Sequence, residues 1–393
     1  MPSSSLRWML VLATATGLAC ALPVPDGSSL PDGGSQGGSP DGGSSGSPDS
    51  GSGAPDSGSG APDGGSGAPD GGSGSPGGAW LHTSKNHIVR ADDSVWHGRG
   101  ANLPDTRSCN ACAFEAPSVA EVERRIDELV DVWKANFIRL DLESYASAGG
   151  RVQWQTVLDD SAYLADVGKI VDYIGTKPGV YVMVTLWVDP SFSSMGWPQA
   201  GTNAELARLA TTFLSAPQVI FGVCNEPQSN FDGSLDSQVW TAMNNAVTAI
   251  RQVEDAAGAP HHIVSVQGTG GWARRLDYYV SHPIAASGGE NVAYEVHVYN
   301  VAADFPSLFE TAAQTIPVII GEYGPGQGMT ESDVTAMLQV AENMEIPHLA
   351  WTFHMRCPPN LLQDNSGGGC GKGMALQPTS FGTLLKNRLA TPW

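Results

Sequence analysis

Eight short apolar runs, separated by stretches of helical periodicity, limit what this chain can become more than any other feature. The runs lie at 96–103, 137–142, 180–188, 219–227, 262–267, 292–299, 317–323 and 348–353. Most are nearly continuous in apolar residues, as expected of strands covered on both faces. Between them, Ser118 with Glu121 three residues on reads as a capping box, followed by Val122, Ile126, Leu129 and Trp133 on one helical face. Thr202 with Glu205 reads as the start of a second helix, with Leu206, Leu209 and Phe213 as its stripe. Strand and helix alternating eight times predicts an α/β fold, a (β/α)₈ barrel whose functional residues gather at the C-terminal ends of its strands.

Two of the runs end in an acid. Phe221-Gly222-Val223-Cys224 leads into Asn225-Glu226-Pro227, and ninety-six residues on Pro317-Val318-Ile319-Ile320-Gly321 leads into Glu322-Tyr323-Gly324. Two carboxylates at the ends of separate barrel strands fall across one pocket, the constellation of glycoside hydrolysis. Either glutamate alone reads equally well as a helix cap or an ion-pair partner, so the pair carries the inference.

The segment before the barrel is of another kind. Arg7 followed by Trp8-Met9-Leu10-Val11-Leu12-Ala13 and then small residues reads as a signal peptide over 1–20, too short for a stable membrane span. Gly17-Leu18-Ala19-Cys20 resembles a bacterial lipoprotein cleavage site, with Cys20 as the lipid-bearing residue; ordinary cleavage is the alternative. Residues 21–78 cycle through Gly, Ser, Pro and Asp with almost no apolar side chains, so they cannot offset chain entropy and read as a disordered linker. The barrel is expected over 79–393, exported, secreted or tethered to the cell surface, and monomeric. The net charge of −20 places −6 in residues 1–78 and −14 in the rest. Such a field repels nucleic acid and anionic surfaces, leaving a neutral partner favoured and a lipid at Cys20 as the expected membrane link.

Export permits disulfides. Of six cysteines, Cys20 belongs to the leader and Cys224 lies in the apolar run before Glu226, where it reads as a buried thiol. The remaining four pair locally as Cys109 with Cys112 and Cys357 with Cys370, or in a crossed arrangement. A four-cysteine zinc site is the rival reading, and loop staples are preferred in an exported chain.

From about Asn86 onward the chain resembles glycoside hydrolase family five, the cellulase and mannanase family of retaining barrel enzymes. The likeness rests on Gly98-Arg99-Gly100-Ala101-Asn102, Arg139 in strand two, Asn225-Glu226, His297 and Tyr299 in Glu295-Val296-His297-Val298-Tyr299, Glu322, and Trp351 in strand eight. The resemblance implies Glu226 as acid/base and Glu322 as nucleophile, with Arg139, Asn225, His297, Tyr299 and Trp351 binding or orienting substrate. Chemistry asks for these types. A guanidinium beside Glu322 favours its ionised form, a phenol can aim it, and Asn225 can hold a sugar hydroxyl. Trp187 falls where many members carry a histidine, which implies a different subsite preference. Trp197, Trp240 and Trp272 also offer indole faces suited to a pyranose, although Trp240 sits on a helical pattern and reads as structural.

The expected activity is a retaining, endo-acting β-1,4-glycanase on a neutral polysaccharide, with cellulose or β-glucan favoured over mannan and xylan. No cofactor and no metal are called for, since two carboxylates suffice. A non-catalytic carbohydrate-binding barrel is the alternative of another class, and loss of either acid or of Arg139 would have favoured it. A structural or protein-recruiting role rests on the linker alone.

Overall fold

The computed structural model describes residues 80–104, 118–142, 160–186, 196–227, 229–369 and 371–393. The chain divides into two units, Met1–Gly74 and Ser75–Trp393, and every described residue belongs to the second. The readings made for the signal peptide, the linker, Cys20, Cys109, Cys112, Cys370 and Trp187 fall outside the described residues.

An antiparallel hairpin of β1 (His82–Ser84) and β2 (His87–Val89) precedes the barrel. The barrel strands are β3 (Arg99–Pro104), β4 (Phe137–Leu142), β5 (Tyr181–Leu186), β6 (Val219–Gly222), β7 (Ile263–Gln267), β8 (Val292–Val298), β9 (Val318–Tyr323) and β10 (His348–Ala350). They are parallel and close in chain order, with β10 pairing β3. Each apolar run thus holds one strand of a (β/α)₈ barrel.

Two strands end sooner than expected. β6 stops at Gly222 and β10 at Ala350, because the residues beyond leave the ladder to build the face where strands end. Val223 still donates its N–H to Ser265 (3.2 Å), but Glu226 turns into the left-handed region at φ 46°.

The helices also correct the sequence reading in detail. Ser118 caps Val119–Asp127 by accepting from Glu121 N–H at 3.4 Å, but the reciprocal half of the box is missing. The Glu121 carboxylate instead pairs with Arg124 and Arg125 at 2.8–2.9 Å, where two guanidinium groups outcompete one amide. The second helix runs Ala200–Thr212, so Thr202 lies inside it and closes a capping box with Gln199. No helix among the described residues is long and apolar enough to cross a membrane.

Side chains pointing out of the barrel, such as Leu140, Val184, Phe221 and Val266, form one core with helix stripes that include Ile126, Leu129, Val167 and Leu209. Each such fully buried side chain contributes about 1.5–3 kcal/mol. Inside the barrel the bottom is apolar: Phe137, Tyr181, Met183, Ile220, Ile263, Ala293, Ile319 and Leu349 cluster with Leu81, Ile88 and Trp96 from the hairpin and its exit. Trp96 stands edge-on to Phe137 at 4.8 Å and to Tyr181 at 5.1 Å, and is itself inaccessible to solvent. The hairpin therefore plugs the end at which the strands begin. Cys224 is a free, buried thiol pushed well above its usual range by burial, and Cys357 is disulfide-bonded.

Candidate active site

Above the apolar plug the barrel interior turns polar. Strand alternation aims Asn102 from β3, Arg139 and Asp141 from β4, Ser265 and Gln267 from β7, and Glu295 and His297 from β8 inward, and all are buried. β9 breaks its own alternation. Val296 pairs with Ile320 but His297 pairs with Glu322, so Gly321 is an extra residue, a bulge. The bulge lets Glu322 face the interior although Ile319 already does. Gly321 has to be glycine here, since a β-carbon would overlap the Glu295 carboxylate.

Arg139 is the hub. Its Nη1 donates to Asn102 Oδ1 (2.8 Å), Asp141 Oδ1 (2.9 Å) and Glu322 Oε1 (3.0 Å), and its Nη2 donates to Asn225 Oδ1 (2.7 Å). Nε forms an ion pair with Glu295 Oε1 at 3.1 Å. A guanidinium with no solvent exposure holds its charge here because three carboxylates surround it, and they keep it firmly protonated against burial. Asn102 is fixed in turn by donating Nδ2 to the carbonyls of Gly321 (2.9 Å) and Ala350 (3.3 Å). With its oxygen taken by Arg139, Asn225 is oriented so that its amide nitrogen is the donor it offers to a ligand.

Glu226 and Glu322 lie across the same site at different depths, with side chains 20% and 5% exposed. The backbone N–H of Glu226 donates to Gln267 Oε1 at 2.6 Å, which anchors its strained backbone. Tyr299 donates its hydroxyl to Glu322 Oε2 at 3.0 Å, and burial together with the neighbouring acids keeps that phenol neutral. His297 stands between the two acids. Its Nδ1 is 2.9 Å from Glu226 Oε1 and 3.5 Å from Glu322 Oε2, and its Nε2 is 3.0 Å from Glu295 Oε1. Burial alone would lower the His297 pKa, but the Glu322 charge and the hydrogen bonds to Glu226 and Glu295 raise it to about 10.

Glu322 departs from expectation. Arg139, His297 and Tyr299 all favour its ionised form, yet burial, with the Glu226 charge added, pushes its pKa up to about 7. Two carboxyl groups this close titrate as a coupled pair. Glu226, His297 and Glu322 each offer one ligand-type atom within 4.8 Å of the others, a grouping that resembles a metal site. With its pKa raised to about 10, His297 places a cation between the two acids near neutral pH.

Among the aromatics, Trp351 follows β10, half-buried, with its backbone N–H donating to Tyr323 O at 2.9 Å. Trp272 is half-buried beside the site, its backbone N–H donating to Pro227 O at 2.8 Å. Trp197 is buried in the core, and Trp240 packs against the outside of that core while donating Nε1 to Pro283 O at 3.3 Å. The sequence reading passed over Asn102, Asp141, Gln267 and Glu295 as site residues. Glu295 carried a legible signal: an acid two residues before His297 in an apolar strand shares its inward face.

A family model described as cellulase (glycosyl hydrolase family 5) matches residues 98–356. An endoglucanase of Halalkalibacter akibai is 26% identical over 181 residues, which are 44% of this chain and 20% of that protein. The chain thus spans about a fifth of that curated relative. A crystal structure of a β-glucanase from Saccharophagus degradans superposes with a TM-score of 0.60 at 18% identity, covering 79% of this chain and 93% of that one. The catalytic domain of an endoglucanase from Thermobifida fusca gives 0.60 at 16% identity, covering 79% and 97%. Likeness at these identities speaks to the fold.

Proposed function

Because the chain belongs to glycosyl hydrolase family 5 and is a glycoside hydrolase, we propose that it cleaves β-1,4-glucan internally, with retention of anomeric configuration, using Glu322 as nucleophile and Glu226 as acid/base. The observation that carries this reading is the separation of the two acids. One oxygen of each lies within 4.8 Å of one of the other's, which supports the close carboxyl pair of double displacement, ~5–5.5 Å, over the ~6.5–9.5 Å that leaves room for an inverting water.

In the first step a Glu322 oxygen bonds to the anomeric carbon while the bond to the leaving oxygen breaks and takes the Glu226 proton. In the second, the Glu226 carboxylate removes a proton from water, which displaces Glu322 and restores both acids. Arg139 and Tyr299 already hold donors on Glu322. Those donors favour an ionised Glu322 once substrate is bound, and the first step needs the proton to be on Glu226. The names of the relatives, endoglucanase and β-glucanase, support a glucan, and the Saccharophagus degradans β-glucanase has also been solved in complex with cellotetraose. A leader read over 1–20, a linker over 21–78 and a disulfide at Cys357 support an exported, secreted or tethered enzyme with its barrel over 79–393.

The test is product analysis. The full chain is incubated with carboxymethylcellulose, mixed-linkage glucan, mannan and xylan, and the first anomer released is followed by proton NMR. β-Product from a glucan is the expected result. Initial α-product would reject retention, and preferential cleavage of mannan or xylan would reject the glucan.

The pH profile follows from the same pair. The pKa of Glu322, raised to about 7, means that the nucleophile of the free enzyme keeps its proton below that pH and loses it above. Attack needs the anion, so kcat/KM should climb as pH rises through about 7. A kcat/KM with no rise between about pH 5 and 8 would show that Glu322 is not held in that state.

A further inference from the structure

We propose that Glu295 is a positioning residue of this active site: a buried carboxylate that keeps His297 an N–H donor toward Glu226 and so forces the acid proton onto the outward oxygen of Glu226. The inference rests on the assignment of Glu226 as the acid.

The geometry is specific. Glu295 is fully buried in the middle of β8 and is met by four groups from three strands. Arg139 Nε lies 3.1 Å and His297 Nε2 3.0 Å from Oε1, Gln267 Nε2 donates to Oε1 at 3.3 Å, and Ser265 Oγ donates to Oε2 at 2.9 Å. So many donors fix the carboxylate as an anion. Burial would raise its pKa, but the Arg139 charge and the His297 hydrogen bond bring it below its ordinary value.

An anion at Nε2 requires a proton there. The opposite nitrogen, Nδ1, faces Glu226 Oε1 at 2.9 Å, and the interaction there depends on the state of the ring. A neutral imidazole protonated at Nε2 presents a lone pair at Nδ1. Glu226 would then turn its proton inward, into an O–H···N bond, where no leaving group can reach it. An imidazolium presents N–H at Nδ1 instead. Oε1 of Glu226 must then accept, and the acid proton sits on Oε2. Glu295 supplies the charge that makes the second state the stable one, helped by Glu322 at 3.5 Å from Nδ1. The other charged neighbours are Arg139, which repels the imidazolium, and Asp141, which pairs with Arg139. Tyr299 and Cys224 are held neutral by burial.

The device accounts for two local oddities. Gly321 leaves room for the Glu295 carboxylate. Gln267 ties the arrangement to the acid's backbone by donating Nε2 to Glu295 while accepting the Glu226 N–H on Oε1.

The experiment is ¹⁵N NMR of the imidazole side chains in the full chain, with the His297 resonance assigned by His297→Gln. In the unaltered protein His297 should remain doubly protonated from pH 5 to 8. An ordinary titration across that range would overturn the proposal, whether or not any variant folds. In Glu295→Gln the His297 titration should move down by about 1–3 pH units. Its kcat should fall by about 10²-fold with KM changed less than about twofold. Ser265→Ala, which keeps the carboxylate and removes one donor, should leave His297 doubly protonated. A Glu295→Gln enzyme with unchanged kcat, or with a uniform loss and no change in the His297 titration, would also overturn it. The NMR readout needs no turnover, so an inactive protein with a doubly protonated His297 would count against the glycanase reading alone.

Discussion

Glu322→Gln is expected to lower kcat on a soluble β-glucan by roughly 10⁴–10⁶-fold, the scale for losing a covalent nucleophile, without lowering stability at alkaline pH. The second half of that expectation is the more discriminating. A carboxyl whose folded-state pKa is raised to about 7 from an ordinary 4.5 favours folding only while protonated. Its contribution is complete below about pH 4.5 and is lost as pH rises through about 7. At pH 8 the native protein bears the whole cost of a buried anion crowded by Glu226. Glutamine removes that charge while keeping groups that Arg139 and Tyr299 can bond. Thermal unfolding at pH 5 and pH 8 should show the variant gaining on the native protein at the higher pH. An equal difference at the two pH values would mean that Glu322 is not held in the strained ionisation described. Stability given up for function is the usual sign of an active site.

Arg139 should show the opposite balance. Arg139→Met removes the charge and leaves Asp141, Glu295 and Glu322 facing one another in a place without solvent. Breaking a buried network on one side costs about 3–5 kcal/mol, because the partners left behind are charged and dry. Arg139→Lys keeps the charge but offers one ammonium where the guanidinium bonds two carboxylates and two amides and pairs with a third carboxylate. It should recover part of the stability and little of the activity. Urea unfolding of both variants, with kcat measured alongside, decides the matter. A methionine variant within about 1 kcal/mol of the native protein would show that the acids are not ionised around Arg139.

The barrel was legible because its strands are covered on both faces and therefore read as apolar runs, and because polar residues stop those runs where the site begins. Phe137–Leu142 was placed to the residue. The ends of β6 and β10 were not, since Val223, Cys224 and Phe353 are as apolar outside the ladder as within it and hydrophobicity records burial rather than pairing. Glu226 and Glu322 were found from their places after apolar strands. The means by which Glu322 reaches the interior was not. Strict alternation from Ile319 turns Glu322 outward, and only the extra residue at Gly321 reverses it. Glu295 was passed over for a related reason: an acid inside an apolar strand declares a cost, and the groups that offset it come from strands far away in sequence.

The hairpin plug gives the barrel one dry end and one wet end. Trp96, Leu81 and Ile88 close the floor, and the charged groups sit above seven apolar strand residues and Met183 with no polar path downward among them. Protons consumed and returned by Glu226 must therefore travel through the mouth, the same opening that a polymer chain would occupy. A long oligosaccharide in the cleft then acts as a stopper as well as a substrate. Amide and imidazole protons of the buried network should exchange with solvent in the intervals between occupants, so that the traffic of sugar sets the clock for the traffic of hydrogen.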